Sequence, residues 1–271
     1  MSDVTLVSTP EDAAALAAAE EHHAHLAGEL SGRVAMLLTA ADRDAGAADR
    51  IRGGLVAFCD RELLPHAAAE EATLYAAARR TADGHLLVES LIAEHGRLAT
   101  LVDALRGASS PVSAAADARA LQVLFEEHVA KENGLVLPLL AAAPGVSLAA
   151  LLADMHHEFE AQPPADDTGA EGERGRQGEP AAGDGCGGGC ACGGVDEDVP
   201  ELDVREVPHA LRHATVFGAL DAVPAGRAMV LVAPHDPLPL LAQIEQRSPG
   251  HFAVEYLERG PEAWRLLLSH R

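Results

Sequence analysis

Twice in this chain an apolar helical stripe is interrupted by the same two polar side chains. Ile51, Leu55, Cys59, Leu63, His66, Glu70 and Leu74 recur every three or four residues, the spacing that puts side chains on one face of a helix. Leu121, Phe125, His128, Glu132, Leu135 and Leu139 do the same. A histidine and a glutamate four residues apart therefore face a core on two separate segments. Buried carboxylates need compensation, so this feature limits what residues 1–160 can fold into more than local propensity does. The spacing alone means little. His-x-x-x-Glu also occurs at His25/Glu29, His85/Glu89 and His156/Glu160, but none of those three pairs lies on a bundle stripe.

Helical periodicity runs through all of residues 1–160. STPED at 8–12 is a helix start, with a hydroxyl cap, proline in the first turn and acids at the positive end of the dipole. Breaks at 41–49, 81–84, 107–113 and 142–147 separate four long helices and a shorter fifth. Short connections make successive helices antiparallel, which predicts an all-α up-down four-helix bundle. His23 shares a heptad with Leu16, Leu30 and Leu37. His22, about 100° around the helix, is the alternative from that segment. His95 lies among Val88, Leu91, Leu98 and Val102. Counted from the turns, the four inward histidines on neighbouring helices differ by roughly 2 to 5 Å in level at a rise of about 1.5 Å per residue.

Six polar groups on one buried layer must neutralise one another or hold cations. Imidazole and carboxylate donors without thiolate suit iron, manganese or zinc. Cys59, two turns before His66, reads as a small buried hydrophobe. Pro65 should bend its helix just before His66.

Residues 161–199 are rich in glycine, proline and acids and carry almost no large apolar side chain, the composition of a flexible linker. Cys186, Cys190 and Cys192 stand in this stretch. They could capture a soft metal, serve an iron–sulfur cluster, form a reversible disulfide, or simply sit in a spacer. From residue 200 the pattern changes again. ELDVREV, AMVLVAP, FAVEYLE and AWRLLLS read as strands, with two helices among the first three. This order predicts a small two-layer α/β domain at 200–271.

The formal net charge of −22 argues against nucleic acid or an anionic membrane as partner. No run of 18 apolar residues is present, and the first residues lack the pattern of a signal peptide. Three cysteines crowded into seven residues are no secreted disulfide framework. A cytoplasmic protein is expected.

His23, HAAAEE at 66–71, the His95 helix and HVAKE at 128–132 together resemble the hemerythrin-like, HHE cation-binding domains, over residues 10 to 160. That resemblance implies two non-heme iron ions, ligated by His23, His66, Glu70, His95, His128 and Glu132, with the two glutamates as candidate bridges and Glu71 as a neighbour. It implies dioxygen, nitric oxide or peroxide as the small-molecule partner, and a binding or sensing protein rather than a dedicated enzyme. Iron storage or delivery is the alternative. Oxygen-carrying hemerythrins have a second histidine four residues from the third-helix histidine, whereas this chain has Leu91 and Ala99 there. The last domain is similar to an uncharacterised family found beside hemerythrin-like domains, through LDVR (202–205), RH (212–213), HDPLPL (235–240) and GPEAW (260–264). Its fold resembles the small sulfur carriers, without their cysteine. The resemblance leaves His213, His235 and Asp236 as candidate binding residues, or HDP as a simple helix-start turn, and offers a surface for a protein partner.

Overall fold

A computed structural model describes residues 9–161 and 199–271. Cys186, Cys190 and Cys192 lie outside the described residues. The first helix, α1 (Pro10–Ala41), starts as its sequence predicts: Thr9 Oγ1 accepts from the Asp12 amide and Pro10 occupies the first turn. Asp12 does more than favour the dipole. It is buried and accepts from the Ala149 amide across the bundle, capping a helix far away in sequence.

The second bundle helix spans residues 45–78. It comprises α2 (Ala45–Phe58), α3 (Leu64–Glu70) and α4 (Ala76–Ala78), joined by π-turns at Cys59–Leu63 and Glu71–Tyr75. The third is α5 (Gly84–Arg106). The fourth comprises α6 (Pro111–Lys131), a π-turn at Glu132–Val136 and α7 (Leu137–Ala142). A shorter α8 (Leu148–Ala161) lies across α1 and the second helix, burying Leu148, Leu152 and Met155.

The π-turns explain the stripe of the second helix. Steps of four residues drift by about 40° per turn on an α-helix. A π-turn inserts one extra residue and cancels that drift, so Ile51, Leu55, Cys59, Leu63, His66, Glu70 and Leu74 are all buried. In the fourth helix the same device corrects the sequence reading. Leu135 is 52% exposed and Leu139 is only half-buried, while Val136, Leu137 and Leu140 enter the core. The extra residue at Glu132–Val136 rotates everything after it by one position. The bend expected at Pro65 is likewise a π-turn just upstream: the Leu64 amide reaches back to the Cys59 carbonyl. Pro138 stands in the same relation to the turn before it, where the Leu137 amide bonds the Glu132 carbonyl.

Two apolar clusters fill the bundle. One contains Leu63, Leu98 and Phe125, the other Leu74, Leu91 and Val136. His66 and Glu70 fall between Leu63 and Leu74 on the shared stripe, so the polar layer lies between the two clusters.

The C-terminal domain is a four-stranded sheet of order β1-β2-β4-β3, made of β1 (Glu201–Asp203), β2 (Ala228–Ala233), β3 (Phe252–Arg259) and β4 (Trp264–His270). β1 and β2 are parallel and joined through α9 (His209–Asp221), while α10 (Leu238–Arg247) links β2 to β3. The other two pairings are antiparallel. This is the small α/β architecture predicted from the strand pattern. Among the described residues no helix is long and apolar enough to cross a membrane.

α9 packs on α1. Gly28 and Gly32 of α1 and Gly218 of α9 permit the approach: a Cβ on Gly32 would stand 2.0 Å from the Thr215 carbonyl oxygen, and one on Gly218 2.2 Å from that of Glu29. The first apolar cluster runs unbroken from Leu30, Val34 and Leu37 to Val216, Leu220, Met229 and Leu231. Glu29, which faces away from the bundle core, is buried under this domain and pairs with Arg33 (3.0 Å) and Arg247 (3.5 Å).

Candidate metal centre

All six residues singled out in the sequence are buried and converge on one layer. His23, His66, Glu70, His95, His128 and Glu132 are each no more than 6% exposed. Donor atoms of Glu70, His95, His128 and Glu132 lie within 4.8 Å of one another, and so do those of His23, His66 and Glu70. Glu70 belongs to both groups, the position a bridging carboxylate needs. Of the two candidates from the first helix, His23 points its Nε2 at Glu70 (3.3 Å) and Glu132 (3.8 Å), whereas His22 is exposed.

Each of three rings is held from its outer nitrogen. His23 Nδ1 donates to Asn133 Oδ1 at 2.7 Å, His95 Nδ1 to Glu71 Oε1 at 2.8 Å, and His128 Nδ1 to Glu94 Oε2 at 3.1 Å. Such partners fix the tautomer and leave Nε2 as the inward donor, as they do around metal-ligating histidines. Glu71 is therefore a neighbour of the cluster, as the resemblance implied. Glu94 in turn pairs with Lys131, whose side chain is 38% exposed, so this chain of contacts reaches the surface.

The inward atoms fit a cation better than they fit each other. His66 Nε2 and Glu70 Oε1 are buried and form no hydrogen bond, although only 3.0 Å separates them. His95 Nε2 and His128 Nε2 face each other at 2.9 Å. With both Nδ1 protons committed to carboxylates, two lone pairs meet there unless a proton or a cation intervenes. Two nitrogens about 2.1 Å from one ion and at right angles would be about 3.0 Å apart.

Electrostatics of the metal-free site say the same. Burial alone would lower the His23 pKa, but the Glu70 carboxylate beside it and the Glu132 charge outweigh it and raise it to about 9. Burial likewise opposes the charged form of His95, yet Glu70 and Glu71 raise its pKa. Burial would raise Glu70, but His66, His23 and His95 hold it well below the usual carboxylate range. Without metal, protons on His23 and His95 balance the carboxylates, and cations would replace those protons.

Sequence reasoning missed Tyr75, Glu94 and Asn133. Tyr75 is 1% exposed and its hydroxyl donates to Glu132 Oε1 at 2.5 Å. Its ring stacks on that of His95, centroids 5.3 Å apart. Tyr75 follows Glu70 by five residues, a spacing an α-helical stripe does not register. The π-turn at Glu71–Tyr75 supplies that period. Leu91, one of the two positions where the resemblance would place an additional histidine, is fully buried in the apolar cluster and takes no part in the polar layer.

The other candidates stay apart from this layer. Cys59 is a buried core residue, and burial pushes its thiol up to about 12. In the C-terminal domain His213 and His235 are exposed. Asp236 accepts from the Tyr256 hydroxyl at 2.9 Å instead of capping α10.

Residues 14–140 match the family model described as Hemerythrin HHE cation binding domain. Residues 201–270 match that of the Uncharacterized conserved protein (DUF2249) family. Comparison with curated proteins and with solved structures gives no match. The match and the buried His/Glu cluster together support a metal-binding bundle.

Proposed function

We propose that the bundle holds two non-heme iron ions, ligated by His23, His66, Glu70, His95, His128 and Glu132, and binds, senses or reacts with dioxygen, nitric oxide or peroxide. The observation that carries this reading is the pairing of every inward histidine nitrogen with another inward donor, while Asn133, Glu71 and Glu94 take up outer nitrogens. Iron bound there would supply open coordination positions and a redox couple suited to small oxidants. The chain's own residues do the rest. Glu71, Glu94 and Asn133 lock three rings. The apolar clusters on either side of the layer exclude water, which strengthens each charge interaction within it. Burial and the Glu132 and Glu70 charges push the Tyr75 phenol far up, so its proton stays on oxygen and remains a donor at Glu132 Oε1. The chain Lys131–Glu94–His128 ties one ring to a surface ammonium.

Anaerobic loading with ferrous iron tests this reading. About two irons per chain are expected, as six N/O ligands imply, with a visible absorption band after air exposure. His66→Ala should lose at least one ion and most of the band. A colourless protein without iron after loading would overturn the assignment. Stoichiometric release of iron to an acceptor, without spectral response to dioxygen, nitric oxide or peroxide, would point to storage or delivery instead.

A further inference from the structure

A cavity of about 530 Å³ opens between the bundle and the C-terminal domain, away from the His/Glu layer. Its charge opposes that of the chain. The protein carries a net −22, yet the titratable side chains lining this cavity are three arginines, two histidines and one aspartate. That aspartate, Asp221, is already taken: Arg33 holds it at 2.8 Å and Arg247 at 3.0 Å. Arg50 and Arg61, on the bundle wall, form no hydrogen bond or ion pair among the described residues. Two guanidinium groups thus border the cavity without a hydrogen-bonded partner, though Arg50 also feels the Asp44 charge.

The opposite wall carries a pair of imidazole rings. His251 and His270 present nearly parallel rings, 21° apart with centroids at 6.1 Å. His270 donates through Nδ1 to the Val223 carbonyl at 2.7 Å, which leaves Nε2 for a ligand. Gly54 lies between the arginines on the helix. A Cβ there would meet nothing within 4 Å, so packing does not require glycine. Glycine inside a helix is less favourable than alanine, and here its effect is to keep the cavity floor clear.

We propose that this cleft binds a phosphate-bearing small molecule of nucleotide size. Guanidinium groups match phosphate oxygens in geometry and charge, and the volume falls in the range of small-ligand pockets. Arg50 and Arg61 stand three turns apart, about 16 Å of helix rise. One small ion cannot engage both, whereas an extended anion with a planar ring can lie between them and the histidine pair.

Titration calorimetry of the full chain at low salt tests the site, with ADP, inorganic phosphate and citrate as probes. ADP should bind saturably at one per chain, phosphate more weakly, and added salt should weaken both. The double variant Arg50→Gln/Arg61→Gln should lose about tenfold or more in affinity for ADP, since charge-assisted hydrogen bonds are lost. Gly54→Leu, which improves helix propensity and fills the floor, should lower affinity comparably without unfolding the chain. Iron content should be unchanged in both variants, since neither touches the His/Glu layer. The proposal is overturned by absence of saturable ADP binding, by equal ADP affinity in wild type and both variants, or by citrate binding as tightly as ADP.

Discussion

His22 and His23 are neighbours in sequence and opposites in environment. His23 is buried between two carboxylates and its pKa is raised to about 9. His22 lies at the surface with its ring 5.0 Å from that of His66; partial burial of the ring, then the His66 and His23 charges, hold its pKa down at about 4. The consequences for the metal-free protein have opposite signs. A raised histidine contributes stability that is full below its unfolded value of 6.5 and is lost as pH rises through about 9. A lowered one costs stability as pH falls from 6.5 towards 4, because the unfolded chain takes up its proton first. Chelator-treated protein should therefore be most stable near pH 6.5, and its urea midpoint should fall on either side. A midpoint that stays level from pH 6.5 to 9 would show that His23 is not protonated in the apo-protein. The sequence could separate these two residues by the heptad of Leu16, Leu30 and Leu37. It could not show Asn133 or Glu94 behind the rings, because those contacts join separate segments and have no period.

At the scale of single elements, helical periodicity located every bundle helix and both His-x-x-x-Glu pairs, and it failed where a helix is not α. Leu135 and Leu139 were placed on the core face, and Val136 and Leu140 are there instead. Tyr75 was invisible for the same reason, since a π-turn alone brings a residue five positions on to the same face. Both π-turns before a Leu-Pro pair, at Cys59–Leu63 and Glu132–Val136, widen the helix where a proline ring would otherwise press on the preceding carbonyl. A deletion can test this. Gly134 is exposed, and a Cβ there would meet nothing within 4 Å. Removing it turns the segment into regular α-helix and leaves Glu132 and Leu140 on their faces. With Pro138 retained, the deletion should cost about 3 kcal/mol, the usual burden of an interior proline. In a Pro138→Ala background most of that cost should vanish. Equal losses in the two backgrounds, measured by urea denaturation, would mean that the π-turn serves the site and not the proline.

At the scale of the whole molecule, the strand and helix order of residues 200–271 was legible because alternating and amphipathic patterns are local. The docking of that domain was not. It depends on Gly28, Gly32 and Gly218, which composition presents only as glycines among 25. The contact matters because α1 carries His23 on one face and this seam on another. The sign of one substitution tests whether the two domains form a single unit. Alanine is about 1 kcal/mol better than glycine inside a helix, so Gly218→Ala would stabilise a domain that stands apart. In the docked arrangement its Cβ would meet the Glu29 carbonyl oxygen at 2.2 Å and force α9 away from α1. Overpacking of that kind costs about 1 to 3 kcal/mol. Gly218→Ala should therefore lower the melting temperature and hasten proteolytic release of the C-terminal domain. Gly53→Ala in α2, where a Cβ meets nothing within 4 Å, should raise the melting temperature. If both alanines stabilise to the same extent, the seam between α1 and α9 does not form in solution.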